Sequence, residues 1–166
     1  MAFPQLSVRQ PQPFDLVDEP VQVAGVGTAF EAVANARLRD GNGTELTSIT
    51  ITVGGTGTWA NFNFSISAGG VSPTPQGTLE LYTESAKDGS EQGTIVIPIT
   101  FGPNLMAPAD YHGFSQYEVV SGDTLSAIAQ TWFGNATLWP RIYEANRNQI
   151  TDPNLIFPGQ VLRIPQ

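Results

Sequence analysis

The sequence predicts two domains: an all-β sandwich, then a small α+β unit with β-α-α-β order. Three observations carry this. Up to Phe101 the apolar residues recur with period two and no helical period intervenes. Glycine (17) and proline (13) together approach a fifth of the 166 residues, which calls for many turns between short strands. From Gln116 the pattern changes to helical spacing between two short apolar runs.

The first part is expected to hold six or seven short strands, of which six are named. Val21–Val26 and Ala32–Leu38 are the weakest, rich in Ala and Val. Ile49, Ile51 and Val53 alternate with threonines, and Phe62, Phe64 and Ile66 with Asn63 and Ser65. Leu79 and Leu81 alternate with Glu80 and Tyr82, and Ile95, Ile97 and Ile99 with Val96, Pro98 and Thr100. Alternation of this kind sets one face on a core and the other in water. Between the runs lie Asp40-Gly41-Asn42-Gly43, Gly54-Gly55-Thr56-Gly57, Gly69-Gly70 and Lys87-Asp88-Gly89. All supply glycine where a turn needs positive φ, and the second is expected to be a hairpin turn. Pro98 inside a strand points to an edge or a bulge. Phe62 and Phe64 are assigned to the core, and Trp59 to neither face.

The first domain is set at residues 1–102, a linker at 103–115 and the second domain at 116–166. The connector holds Pro103, Pro108 and the single histidine, His112. As a flexible chain it would span roughly 20 Å. Leu105, Met106, Tyr111 and Phe114 give it apolar groups for docking on one domain. Beyond it, Tyr117 and Val119 read as a strand and Ser121-Gly122 as a turn. Asp123 is the expected helix cap, with Leu125, Ile128, Ala129 and Trp132 at i, i+3, i+4 and i+7. Gly134 suits the C-terminal end of that helix. A second helix is expected from about Thr137, with Pro140 in its tolerant first turn and Leu138, Trp139, Ile142, Tyr143 and Asn146 facing inward. Val161–Ile164 closes the domain as a strand. So small a unit, without metal or disulfide, calls for a dense core, expected from Trp132, Phe133, Trp139, Tyr143 and Phe157.

Composition excludes several classes of function. The formal net charge is -8, so the basic footprint of a nucleic-acid binder is absent. No run approaches the ~18 apolar residues of a membrane span, so no membrane insertion is expected. The chain has no cysteine, which removes disulfides, thiolate nucleophiles and Cys-based metal sites. One histidine leaves little for relays or metal, and it sits in the connector. Glu118, Asp123, Glu144 and Asp152 lack the arrangement of a glycosidase pair. We therefore expect no catalytic residues, no metal and no cofactor. The N-terminus as given shows no secretory signal, so the expectations are a cytoplasmic location, non-classical export to the cell envelope, or a leader removed from this sequence.

The last segment resembles a LysM domain. The residues are Tyr117-Glu118-Val119-Val120-Ser121-Gly122-Asp123-Thr124-Leu125-Ser126-Ala127-Ile128-Ala129, then Leu138-Trp139-Pro140-Arg141-Ile142-Tyr143-Glu144-Ala145-Asn146 and Leu155-Ile156-Phe157-Pro158-Gly159-Gln160-Val161-Leu162-Arg163-Ile164-Pro165. The resemblance implies a βααβ module that binds N-acetylglucosamine-containing glycans, chiefly peptidoglycan and chitin. By position it places Gly122, Asp123, Thr124 and Leu125 on one wall of the glycan groove, and Asn148, Gln149, Ile150 and Ile156 on the other. Each of these also has a structural reading: Asp123 as cap, Gly122 as turn, Leu125 as core. The segment is also similar to the LysM of BON–LysM potassium-binding proteins, and to modules of phage tails and contractile injection systems.

The first part resembles the Gmad2 immunoglobulin-like domain. Val21-Gln22-Val23-Ala24-Gly25-Val26-Gly27, Phe30-Glu31-Ala32, Arg39-Asp40-Gly41-Asn42-Gly43, Trp59-Ala60-Asn61-Phe62 and Glu84-Ser85-Ala86-Lys87-Asp88-Gly89-Ser90 carry the likeness. It implies an Ig-like sandwich used for contact or spacing in a bacterial protein. Three functions follow as expectations. The first is a non-catalytic adaptor that binds peptidoglycan or another GlcNAc-containing glycan, with the Ig-like domain meeting itself or other protein subunits. The second is a structural subunit of a filament or injection-type assembly, and the third an intracellular ion sensor.

Overall fold

A computed structural model describes residues 5–106 and 110–166. Pro108 of the connector lies outside them. The chain divides into two compact units, one ending at Phe101 and the other beginning at Gly102.

The first unit is a sandwich of two sheets. One holds β1 (Leu6–Gln10), β3 (Val21–Gly27) and β6 (Ala60–Ile66) in the order β1-β3-β6. The other holds β2 (Asp15–Val17), β8 (Glu91–Phe101), β7 (Gln76–Glu84), β4 (Val33–Asp40) and β5 (Glu45–Thr52) in the order β2-β8-β7-β4-β5. All pairings are antiparallel except β2 with β8. The inward positions of both sheets form one core that includes Val21, Val23, Leu38, Phe62, Ile66, Leu79, Leu81 and Ile99. The alanines of β4 belong to it: Ala34, Ala36 and Leu38 are completely buried. Small side chains weaken the alternation signal there without weakening the strand. Phe62 is buried and Phe64 packs against the same core, as the alternation required. Trp59 is exposed.

Three expectations about this unit change. Strands β1 and β2 are additions to the expected set: β1 alternates only over Leu6-Ser7-Val8-Arg9, and β2 has three residues between Pro13 and Pro20. Gly54–Gly57 is not a hairpin turn. It joins β5 to β6, which lie in different sheets, and Gly54 forms a parallel bridge with Thr28. Glu80 does not sit on an open solvated face. Its carboxylate accepts from Arg37 at 2.6 Å and pairs with Arg39 at 3.3 Å, and Arg37 also reaches Glu91 at 2.6 Å. The Glu91 hydrogen bond raises the Arg37 pKa above its ordinary value, against the opposing effect of burial.

Pro98 fits its place for a reason visible in the ladder. Its carbonyl accepts from the Phe14 amide at 2.6 Å, so its nitrogen faces the same side, toward β2. Strand β2 pairs only with Ile99, Thr100 and Phe101. A missing N–H at Pro98 therefore breaks no rung. Close approach explains Gly25: a Cβ there would lie 2.3 Å from the Ser7 carbonyl oxygen and 2.5 Å from the Phe62 ring.

The second unit has the order β9 (Phe114–Glu118), α1 (Leu125–Phe133), α2 (Trp139–Ala145), β10 (Val161–Pro165). The two strands pair antiparallel from Phe114↔Pro165 to Glu118↔Val161. Two further bonds, His112 amide to Gln166 carbonyl at 2.5 Å and Gln166 amide to Gly113 carbonyl at 2.8 Å, continue that ladder. Within the connector Leu105 and Tyr111 are buried, and the Tyr111 ring lies against Gly102.

The core of this unit is aliphatic. Val119, Leu125, Ile128, Ala129, Ile142, Ile150, Leu162 and Ile164 make it, and Tyr117, Phe133, Trp139 and Tyr143 pack around it half-buried. This corrects the expectation of an aromatic core: Trp132 and Phe157 are exposed. The centre is locked by Asn146, which is fully buried. Its Nδ2 donates to the Ile142 and Arg163 carbonyls at 2.7 and 2.8 Å. Its Oδ1 accepts from the Arg163 amide at 2.8 Å and from Gln149 Nε2 at 3.1 Å. One amide thus satisfies its whole bonding capacity while tying α2 to β10.

Candidate functional site

The turn before α1 builds one wall of a groove. Gly122 takes φ of 93°, a conformation that a side chain would strain. The helix cap is Thr124, whose hydroxyl accepts from the Ala127 amide at 3.1 Å. Asp123 is therefore not the cap. Its Oδ2 accepts instead from the Val120 amide and the Tyr117 hydroxyl, both at 2.8 Å. That bond to Asp123 pushes the Tyr117 phenol above its ordinary pKa, and partial burial adds to the rise. Leu125, the first helical residue, turns into the core.

The loop between α2 and β10 builds the other wall. Asp152 Oδ1 accepts from the Asn154 amide at 2.9 Å and from its Nδ2 at 3.0 Å. Tyr143 donates its hydroxyl to the Thr151 carbonyl at 3.1 Å and accepts from Arg147 at 2.6 Å. These bonds fix the loop so that Pro153, Asn154 and Ile156 face Asp123, Thr124, Leu125 and Ser126 across a groove. Trp139 contributes an aromatic wall from the first turn of α2. The cavity measures about 370 Å³, within the size range of small-ligand sites. It combines apolar surface from Leu125, Ile156, Pro153 and Trp139 with hydroxyls, an amide and one carboxylate.

Of the eight positions named from sequence, four line this groove: Asp123, Thr124, Leu125 and Ile156. Gly122 is exposed in the adjoining turn. The other three lie elsewhere. Ile150 is a core residue with 1% exposure. Gln149 bonds to Asn146 and to the Val161 carbonyl, and Asn148 is exposed outside the groove. Sequence reasoning missed Ser126, Trp139, Pro153 and Asn154. The signal for Trp139 was present, since the inward face of α2 was read correctly, but that face was assigned wholly to the core. Pro153 and Asn154 lie in the loop between α2 and β10, where no periodic pattern marks a residue as facing the groove.

Among the described residues, no three His, Cys, Asp or Glu side chains converge as a metal site. Likewise no helix is long and apolar enough to cross a membrane.

Two family models match the chain. The Gmad2 model, described as an immunoglobulin-like domain of bacterial spore germination, covers residues 5–90, and the LysM model covers residues 117–165. LysM domains in general support binding of peptidoglycan and related GlcNAc-containing glycans, and both domain types are binding modules, typically without catalysis.

Three curated relatives match part of the chain. The chain is similar to the potassium binding protein Kbp of Escherichia coli, 56% identical over 50 residues, which are 30% of this chain and 34% of Kbp. It is similar to Esterase Rv1288 of Mycobacterium tuberculosis, 46% identical over 66 residues, which are 40% of this chain and 13% of that protein. An uncharacterized protein of Deinococcus radiodurans is 45% identical over 53 residues, 32% of this chain and 20% of the relative. The chain thus spans about a third or less of the length of these curated relatives. The Gmad2 match alone extends over just over half of the residues, and the chain belongs to the Gmad2 family of immunoglobulin-like domains, here joined to a LysM domain.

Proposed function

We propose that the chain is a non-catalytic adaptor. Its LysM domain binds a GlcNAc-containing glycan, peptidoglycan in the first place, and its Ig-like domain serves as spacer or interaction module. The observation that supports this best is the groove between the α1 turn and the α2–β10 loop. An N-acetyl sugar needs an apolar seat for its methyl group and hydrogen-bonding groups beside it. Leu125, Ile156 and Trp139 offer the first, and Thr124, Ser126, Asn154 and Asp123 the second. One groove of this kind binds one glycan chain modestly, so affinity for a wall would come from several copies acting together.

The test is retention of the full chain on purified, insoluble peptidoglycan. Thr124→Asp keeps a good capping residue but adds a charge to the groove, and Ile156→Asp removes its apolar floor. The proposal expects at least tenfold less retention for either folded variant. Equal retention of the wild type and both variants overturns it.

The identity to Kbp, a potassium binding protein, supports a second reading, an ion sensor. A ligand that binds only the native state raises the melting temperature. A rise in KCl that is absent in NaCl at equal ionic strength would favour that reading, and equal melting in both salts would remove it.

A further inference from the structure

We infer that the free edge of β5 is a self-association surface, where two copies of this chain pair β5 to β5 antiparallel and join their five-stranded sheets. Strand β5 ends its sheet, and among the described residues β4 is the one strand paired with it. The Val53 amide donates to the Ala32 carbonyl on the β4 side at 2.8 Å. Because strand groups alternate in direction, the amides and carbonyls of Ser48, Thr50 and Thr52 point away from β4. All three residues are exposed.

Proteins usually guard such an edge with charge, proline or a covering loop. Along Leu46–Thr52 the sequence holds no charged residue and no proline. The segment Leu-Thr-Ser-Ile-Thr-Ile-Thr is rich in β-branched residues, the composition that favours strand addition. The lack of charge extends further. No Asp, Glu, Lys, Arg or His occurs between Glu45 and Glu80, although the chain has 22 charged residues. That stretch contains both β5 and β6, an end strand of the other sheet. Strand β6 carries Asn61 and Asn63, which are weaker strand formers.

Charge also selects the occupant. A chain of net charge -8 repels its own copies over most of its surface. Along β5 two copies meet without like charges. The sequence is self-complementary about Ile49. A two-fold axis there sets Ser48 opposite Thr50 of the copy and Thr50 opposite its Ser48. These are the residues whose backbone groups face outward, so the two pairs form four hydrogen bonds, with hydroxyl facing hydroxyl on the solvent side. On the inner side Ile49, half-buried against the sandwich core, meets Ile49 of the copy. Such a dimer carries two LysM domains, which raises avidity for a repeated glycan.

The full chain is examined by sedimentation over a concentration series, without glycan. A dimer is expected, weakened about tenfold or more by Ser48→Pro, which deletes one outward N–H per copy and no bond within the protomer. Ser48→Lys, an edge charge, is expected to act the same way and covers the case in which the proline variant fails to fold. The absence of cysteine gives a sharper readout. Facing Ile49 residues on the axis lie within disulfide reach, whereas Thr47 residues of two copies are about 14 Å apart. Mild oxidation should therefore cross-link Ile49→Cys and leave Thr47→Cys monomeric. A monomer throughout the series, a dimer indifferent to both Ser48 variants, or equal cross-linking of the two cysteine variants overturns the inference.

Discussion

Replacing Asn146 by alanine tests how the LysM unit holds together. The side chain makes four hydrogen bonds, three of them with backbone groups of Ile142 and Arg163. Truncation leaves those three groups buried with no side-chain partner and opens a small cavity. At roughly 1–3 kcal/mol per unsatisfied group, part of it recovered by relaxation, the loss is about 3–6 kcal/mol. A unit of 65 residues has only about 3–10 kcal/mol in total. Scanning calorimetry of the full chain should therefore show the LysM transition lowered steeply or lost, while the sandwich transition stays. Trp132 and Trp139 belong to the LysM unit and Trp59 to the sandwich. Asn146→Asp keeps the shape but sets a carboxylate against two carbonyl oxygens, and should be at least as damaging. A LysM transition within about 1 kcal/mol of wild type for both variants would refute the reasoning.

Other perturbations have equally definite outcomes. Gly25→Ala places a methyl against the Ser7 carbonyl and the Phe62 ring, and should cost the sandwich about 1–3 kcal/mol in chemical denaturation, with the LysM transition unmoved. Tyr117 has a folded pKa above its ordinary 10.0 because its proton is shared with Asp123. Its contribution is complete below pH 10 and is lost as pH rises through the folded value. Glycan binding should thus be level near neutrality and fall in alkali, and Tyr117→Phe should lack that fall. Glu91 is depressed below its ordinary 4.5 by the hydrogen bond from Arg37. The stability it adds is present above that value and disappears as pH drops through the folded one, so acid should destabilise the wild type more than Glu91→Gln.

What the sequence revealed followed the strength of its periodic signals. The alternating isoleucines of β5 and β8 and the i, i+3, i+4 spacing of α1 placed those elements directly. Strands β1 and β2 were hidden because they are short: the Leu6-Ser7-Val8-Arg9 alternation covers four residues and Asp15–Val17 only three, and both owe their place to the sheets they complete. The Gly54–Gly57 error has a similar origin. Local turn chemistry is the same whether a chain doubles back on its neighbour or crosses to the opposite sheet. In the LysM unit the cap was off by one residue, since Asp123 and Thr124 are both good caps and only the bond from Tyr117 decides between them. The groove was half legible. The α1 turn is contiguous in sequence, and three of its four groove residues, Asp123, Thr124 and Leu125, were found, with Ser126 one position beyond. The facing wall combines one residue from α2 with three from a loop, a juxtaposition that packing creates and spacing does not display. Gln149 and Ile150 were taken by the fold, one for the Asn146 network and one for the core.

Adaptor function requires that the groove bounded by Thr124, Trp139, Asn154 and Ile156 seat an N-acetylated sugar. Backbone and indole NMR shifts of the full chain, followed during titration with a soluble GlcNAc oligomer, test it most directly. Saturable shifts are expected at residues 122–126, the Trp139 indole and residues 153–156 alone, with the sandwich signals unchanged. Shifts that saturate elsewhere, or none at millimolar sugar, would contradict it.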